Sequence, residues 1–421
     1  MTTEAVQYSK FRWFALAVMV VVIASTSYTM LSPVTFIGEI VRTLGVTPGE
    51  ATAITMFTFN MVMAVFAILG GIFVDRVGVE VSWISGLLVI LAGSLLMPFI
   101  GSTPAGLIVV RCLHAIGTGP IMASPATFAA QRFKYTERPY AVAFVGFAVC
   151  GGISLSLMAV PRVFAATGSW QKAITSTSVV LIVALVSTVV MLLGPKPHSP
   201  ADSAPTSQSV LSPEFKRAVF SLTMVILGLM AFIDSWCQQA YNNMAPGFYA
   251  QNPPLGLGFG PVGAGAKLVW ASYAMMLGTL AAPFLTDKVF NRNPKPTIFV
   301  GLLVAALLVT TVRRLTPDDG LLLILVPSGI LFFSSFVNPT VFGYISTHYP
   351  STIAGKLGGL VTGVSVYGAA VGLAISSSLL HSTGFYWASM YTLAAVTFAG
   401  AVVCLFLRPP EGSVSPRESA G

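Results

Sequence analysis

Gly71-Ile-Phe-Val-Asp75-Arg76-Val-Gly78 closes a long apolar run with a charged pair and sets a glycine two residues on, where the chain must turn. A pair of the same kind, Asp287-Lys288, closes another apolar run about half a chain length later. After a short polar stretch, each pair is followed by an apolar run containing Gly-Leu-Leu-Val, at Gly86 to Val89 and again at Gly301 to Val304. The chain therefore reads as internally duplicated. Repeats of hydrophobic spans, with a solute site where the repeats meet, are a common construction of secondary transporters.

Composition agrees with that class. Hydrophobic residues make up 55% and charged residues 9% of the chain, with a mean hydropathy of +0.83, whereas soluble domains are roughly a quarter charged. A helix crosses a bilayer with about 20 mostly apolar residues. Twelve stretches reach or approach that length, near 14–37, 51–74, 82–100, 105–129, 140–165, 170–193, 218–241, 266–286, 296–312, 321–346, 354–380 and 386–407. The expected fold is an all-α integral membrane protein of twelve transmembrane helices in two pseudo-symmetric six-helix bundles, 1–194 and 218–421, joined by a cytoplasmic linker at 195–217. Spans 3 and 9 are short, which makes eleven the competing count. Pro195 to Pro213, rich in Pro, Ser and Ala, lacks the apolar surface to fold alone. Gln251 to Gly265 reads as an outer connector or part of an outer lid.

The formal charge of +8 does not call for nucleic acid, because the basic residues are sorted by side. With the N-terminus inside, fifteen lysines and arginines fall on the cytoplasmic side and six on the other, with Arg111 left inside a span. That is the positive-inside bias of a cell-membrane protein with both termini cytoplasmic. The run after Arg12 is too long for a signal-peptide core and stays as span 1. Cys112, Cys150, Cys237 and Cys404 lie within spans, lack metal-ligand spacing and read as reduced packing residues. No phosphate-cradling loop, Ser/His/Asp grouping or zinc motif is present, which argues against ATP hydrolysis and against an enzyme. No cofactor is expected.

Taken in order, these features resemble the major facilitator superfamily over essentially the whole chain. Residues 71–78 resemble its G-x-x-x-D-R-x-G signature, with Val79 and Glu80 where a basic pair often follows; Gly278, Pro283, Asp287 and Lys288 form a weaker second copy. Arg111-Cys-Leu-His114-Ala115-Ile-Gly117-Thr-Gly119 is similar to R-x-x-Q-G-x-G, with His for Gln and Ala for the first Gly. Gln131 to Arg138 resembles the charged turn after span 4, and Gly168-Ser-Trp170 and Gly384-Phe-Tyr-Trp387 resemble the starts of spans 6 and 12. The resemblance implies two halves rocking about a midplane site, a cavity lined by spans 1, 4, 7 and 10, and a conformational latch at Gly71, Asp75, Arg76 and Gly78 with Asp287 and Lys288 as its counterpart. Anchoring of a span end at the headgroups is the plainer role for the same charges. The fold can work as a monomer.

Charges inside spans cost at least about 2.5–3.5 kcal/mol on insertion scales, so Arg111 and Asp234 need a reason to be there. Helical spacing extends them into stripes: Arg111, His114 and Thr118 on span 4; Asp234, Gln238, Tyr241 and Asn242 on span 7; Ser25, Tyr28, Thr29 and Ser32 on span 1; Ser334 and Asn338 on span 10. Arg111 is the candidate to grip a carboxylate, since its planar fork donates two parallel hydrogen bonds. It also suits packing, a proton relay, or pairing with Asp234 across the cavity. Asp234, placed in the outer half of its span by counting from Arg217, suits proton carriage, a cationic solute or a helix-end charge. His114 titrates near neutral pH and joins such a relay or packs by a hydrogen bond. Trp236, Tyr273, Phe332, Phe333 and Tyr367 form an aromatic wall or core packing, and Met56, Met61 and Met63 fill gaps. The expectation is a secondary transporter of a small organic solute, with a small organic anion as its substrate and a proton as candidate coupling ion. Competing readings are an exporter of lipophilic or cationic compounds, and a receptor or assembly subunit derived from the fold.

Overall fold

The computed structural model describes residues 10–47, 50–51, 53–134, 137–195, 213–254, 256–349 and 351–407. Among them, twelve helices are long and apolar enough to cross a membrane: α1 Phe11–Leu31, α2 Ala53–Val77, α3 Val79–Ile100, α4 Pro104–Arg132, α5 Tyr140–Thr167, α6 Trp170–Leu192, α7 Leu222–Tyr249, α8 Gly263–Val289, α9 Pro294–Arg314, α10 Leu322–His348, α11 Ile353–Leu380 and α12 Tyr386–Cys404. The two short spans become full crossings of 22 and 21 residues, because the polar-looking starts at Glu80 and Lys295 are helical. Most of the expected linker, 196–212, lies outside the described residues. Its end is the short helix Pro213–Val219.

Local chemistry sets the helix ends. Thr103, Ser221 and Asn293 each accept a hydrogen bond from a backbone N–H of the following first turn, and Pro104 and Pro294 open their helices where no N–H is needed. Gly78 takes φ +88° between α2 and α3, a backbone conformation a side chain resists. The most displaced boundary is that of α7. Its expected end, after Tyr241, continues through Asn242, Asn243 and Pro246 to the last turn, so Asp234 stands about 18 Å from the start of a helix some 42 Å long at 1.5 Å per residue. It is central, not in the outer half.

Large apolar side chains such as Leu95, Phe99, Val179, Val186 and Leu277 point outward and are exposed, as a lipid-facing surface requires. Within the first six helices Trp83, Leu87, Ile90, Phe128 and Leu181 pack together, and within the last six Met230, Ile298, Leu302, Val341 and Leu357 do the same. The two groups of helices meet through α2 against α11 and α5 against α8. Since lipid tails are as apolar as the helices, such contacts depend on close fit. At Gly71 a Cβ would lie 2.7 Å from the Gly355 carbonyl oxygen and 3.1 Å from the Gly359 Cα, so only hydrogen fits there. A second junction joins Met56 and Cys150 to Trp236, Cys237 and Tyr241. Between these junctions lies the cavity.

Candidate functional site

The cavity has a volume of about 200 Å³ and receives residues from α1, α2, α4, α5, α7, α8, α10 and α11. Its polar lining is uncharged: Asn60, Ser235, Gln238, Gln239, Asn338 and Ser365 contribute amides and hydroxyls. Met30, Met63, Met122 and Met275 give it a deformable apolar wall. No Asp, Glu, Lys, Arg or His is among its described lining residues.

Several of these polar groups are already partly engaged. Ser235 and Ser365 hydroxyls join α7 to α11 at 2.5 Å, and Asn60 donates to the Met56 carbonyl at 3.0 Å. The Asn338 Oδ1 is buried without a protein partner, which leaves an acceptor for a solute donor. Gln238 holds its Nε2 2.9 Å from both carboxylate oxygens of Asp234. Asp234 itself is wholly buried, lies just behind the cavity wall, and has no cationic partner among the described residues.

Arg111 is placed elsewhere. It is 0% exposed, donates to the Thr55 carbonyl at 2.7 Å, the Met30 carbonyl at 3.0 Å and the Thr29 carbonyl at 3.4 Å, and lies 4.5 Å from the centre of the Phe59 ring. Its guanidinium thus binds the end of α1 to the first turns of α2, where Ala53–Phe57 forms a wide π-helical turn. His114 continues this path inward to Ser94 at 3.1 Å, and Ser94 to Thr177 at 3.1 Å. Neither Arg111 nor His114 lines the cavity, and Arg111 does not pair with Asp234. Thr118 and Thr29 return their hydroxyls to their own helices, at the His114 and Ser25 carbonyls. Tyr28 packs with Phe36, Ile40 and Met97. Tyr241 is buried in the core with its hydroxyl unpartnered. Of the expected solute residues, Gln238 and Asn338 reach the cavity. Of the expected aromatic wall, Tyr273 and Tyr367 are exposed on the outside and Trp236 is core. Ser235, Gln239 and Ser365 had no separate sequence signal; they sit beside Asp234 or within a glycine-rich helix, on faces that only the packing identifies.

At the α2–α3 end the charged residues form a different arrangement. Asp75 meets the start of α11, where the Lys356 backbone N–H donates to its carboxylate and the buried Lys356 ammonium adds an opposite charge. Gly355 and Thr127 complete that contact. The second copy is built on the same plan: the Tyr140 hydroxyl, at the start of α5, hydrogen-bonds Asp287 at the end of α8. Arg138 donates to the Ser346 carbonyl of α10 at 3.1 Å and to the Ala130 carbonyl at 3.1 Å, tying the two groups of helices together again. Arg76 and Lys288 are exposed. Glu80, where the family pattern has a basic residue, forms an ion pair with Arg132. Arg12 and Glu137 pair at 2.9 Å at this same end, so the start of α1 lies beside the α4–α5 turn.

The sequence model described as Major Facilitator Superfamily matches residues 17–372 and again 270–421. No curated protein matches the chain. Among solved structures, the fold is similar to the E. coli fucose:proton symporter FucP, at TM-score 0.72 and 13% identity over 94% of this chain and 98% of that one. It is also similar to the proton:xylose symporter XylE bound to 6-bromo-6-deoxy-D-glucose, at TM-score 0.76 and 15% identity over 96% and 97%. At such identities the likeness concerns the fold.

Proposed function

This chain belongs to the major facilitator superfamily, a family of non-enzymatic membrane transporters, and within it we propose a proton-coupled carrier of a small, uncharged, polar organic solute. One observation carries the reading: the cavity between the two groups of six helices offers amides, hydroxyls and thioethers and, among the described residues, no charged side chain. An anion would enter such a site without a counter-charge. An anion held by Arg111 would need that guanidinium released from three carbonyls. Both folds noted above belong to sugar:proton symporters, which agrees with a neutral, hydroxyl-rich solute.

The halves 1–194 and 218–421, joined by 195–217, rock about this cavity so that it opens to one side at a time. The α2–α3 end faces the cytoplasm together with both termini, in keeping with the positive-inside bias. Asp75 with Lys356, and Asp287 with Tyr140, latch that end while the cavity is closed to it. Asp234 carries the coupling proton. A carboxyl with no ionic partner exchanges a proton without breaking an ion pair, and its contact with Gln238 links it to the solute site. Arg111 and His114 hold the first half together.

Selective binding to the native state raises the melting temperature, so a thermal-stability screen tests the substrate class. The purified protein is heated with panels of neutral sugars and polyols, carboxylates, and organic cations. Stabilisation by a neutral compound, lost in Asn338→Leu, is the expected result. Stabilisation by carboxylates alone, lost in Arg111→Gln, would return the assignment to the organic anion.

A further inference from the structure

Among the described residues, Asp234 is hydrogen-bonded to Gln238, which lines the cavity. The carboxylate is wholly buried in α7, and the amide one turn later both lines the cavity and places its Nε2 2.9 Å from each carboxylate oxygen. The titratable group set against Asp234 is the Cys237 thiol of the same helix. Among the described residues α8, α10, α11 and α12 bring no charged group to bear on it.

A primary amide has two chemically opposite ends: its NH2 only donates and its carbonyl oxygen only accepts. An ionised carboxylate only accepts, so it takes the NH2 end and leaves Oε1 for the cavity. Once a proton adds to one carboxylate oxygen, that oxygen becomes a donor. The amide satisfies it by turning over, so that Oε1 accepts from the new O–H and the NH2 faces the cavity.

Resting on the reading of Asp234 as the proton carrier, we propose that Gln238 is the positioning residue that couples proton to solute: it turns the protonation of Asp234 into a reversal of hydrogen-bond polarity at the cavity wall, from acceptor to donor. A solute whose ether or carbonyl oxygen sits against Gln238 is held only by the protonated carrier, because such an oxygen accepts and cannot donate. Asn338 supplies the complementary fixed point, a buried acceptor oxygen without a protein partner. The solute class that uses both sets a hydroxyl, which donates to Asn338, beside an ether or carbonyl oxygen, which accepts from Gln238, as a sugar does. The proton comes from water on one side and returns to water on the other, and no covalent bond of the chain is made or broken besides that O–H.

Infrared difference spectroscopy on the full chain in lipid tests this without a substrate, with a pH step as the only perturbation. The glutamine side chains carry a 13C label at the amide carbon. Acidification is expected to raise a carboxylic-acid carbonyl band that is missing in Asp234→Asn. A shift of one labelled amide band should accompany it and be missing in Asp234→Asn and in Gln238→Leu. Gln238→Asn, too short to reach the carboxylate, should lose the same shift and serves if the leucine variant misfolds. A rise of the Asp234 band with every labelled amide band unmoved would overturn the Gln238 switch and leave the proton carrier standing. Absence of any carboxylic band sensitive to Asp234→Asn would overturn the reading beneath it.

Discussion

Arg111 shows what a single residue can disclose and what it conceals. A cation inside an apolar span must be satisfied, and that much is visible from the sequence alone. What satisfies it is not: the acceptors are backbone carbonyls of Thr29, Met30 and Thr55, and carbonyls leave no trace in residue identity. The same holds for Thr29, Thr118 and Ser25, whose hydroxyls turn back to their own helices. A polar stripe is therefore ambiguous between a wet face and a satisfied buried one. If Arg111 is a structural clasp, Arg111→Gln removes hydrogen bonds from a charged group worth about 1.5–3 kcal/mol each. The expected result is a clear fall in melting temperature for the ligand-free protein with the solute preference unchanged among the folded fraction. Unchanged stability with abolished binding would contradict the clasp.

Among the elements, the pairing of α2 with α11 is where the duplicated Asp-basic signature acquires geometry. The sequence disclosed Asp75 and Asp287 as equivalent, but their partners come from distant helices, Lys356 on α11 and Tyr140 on α5. Helix order, not composition, brings them together. Which backbone Gly71 would face was not legible. The end of α7 was misplaced because Asn242, Asn243 and Pro246 suggest an exit, whereas the helix runs on while the residues after it fold back, with the Leu257 N–H donating to the Phe248 carbonyl at 2.8 Å. Gly71→Ala places a Cβ against Gly355 and Gly359 backbone that cannot swing aside, an overpacking worth about 1–3 kcal/mol against the closed contact. That is about a thirtyfold change in population at the middle of the range. Spin labels at Val77→Cys and Val289→Cys, both exposed, should report a larger share of long distances at this end in the alanine variant. An unchanged distance distribution would show that the contact does not govern closure.

For the molecule as a whole, twelve crossings and a cavity between two groups of six helices make a machine whose energy must come through what enters that cavity. Family and fold were readable from hydrophobic lengths, the duplicated pairs and the order of the motifs. The solute class was not, because it rests on which of many polar residues converge, and the deepest charge in the sequence turned out to be committed elsewhere. Charge gives the decisive handle. Transport of an uncharged solute carries no current of its own, so any current it evokes reports the coupled ion. Currents are therefore to be recorded from proteoliposomes on a solid-supported membrane after a step to a neutral polyol or sugar, with no pH gradient imposed. The account predicts a transient current for at least one neutral solute. That current should be abolished in Asp234→Asn, while exchange of the same labelled solute across the membrane persists. Currents evoked by carboxylates only, surviving Asp234→Asn and lost in Arg111→Gln, would contradict it.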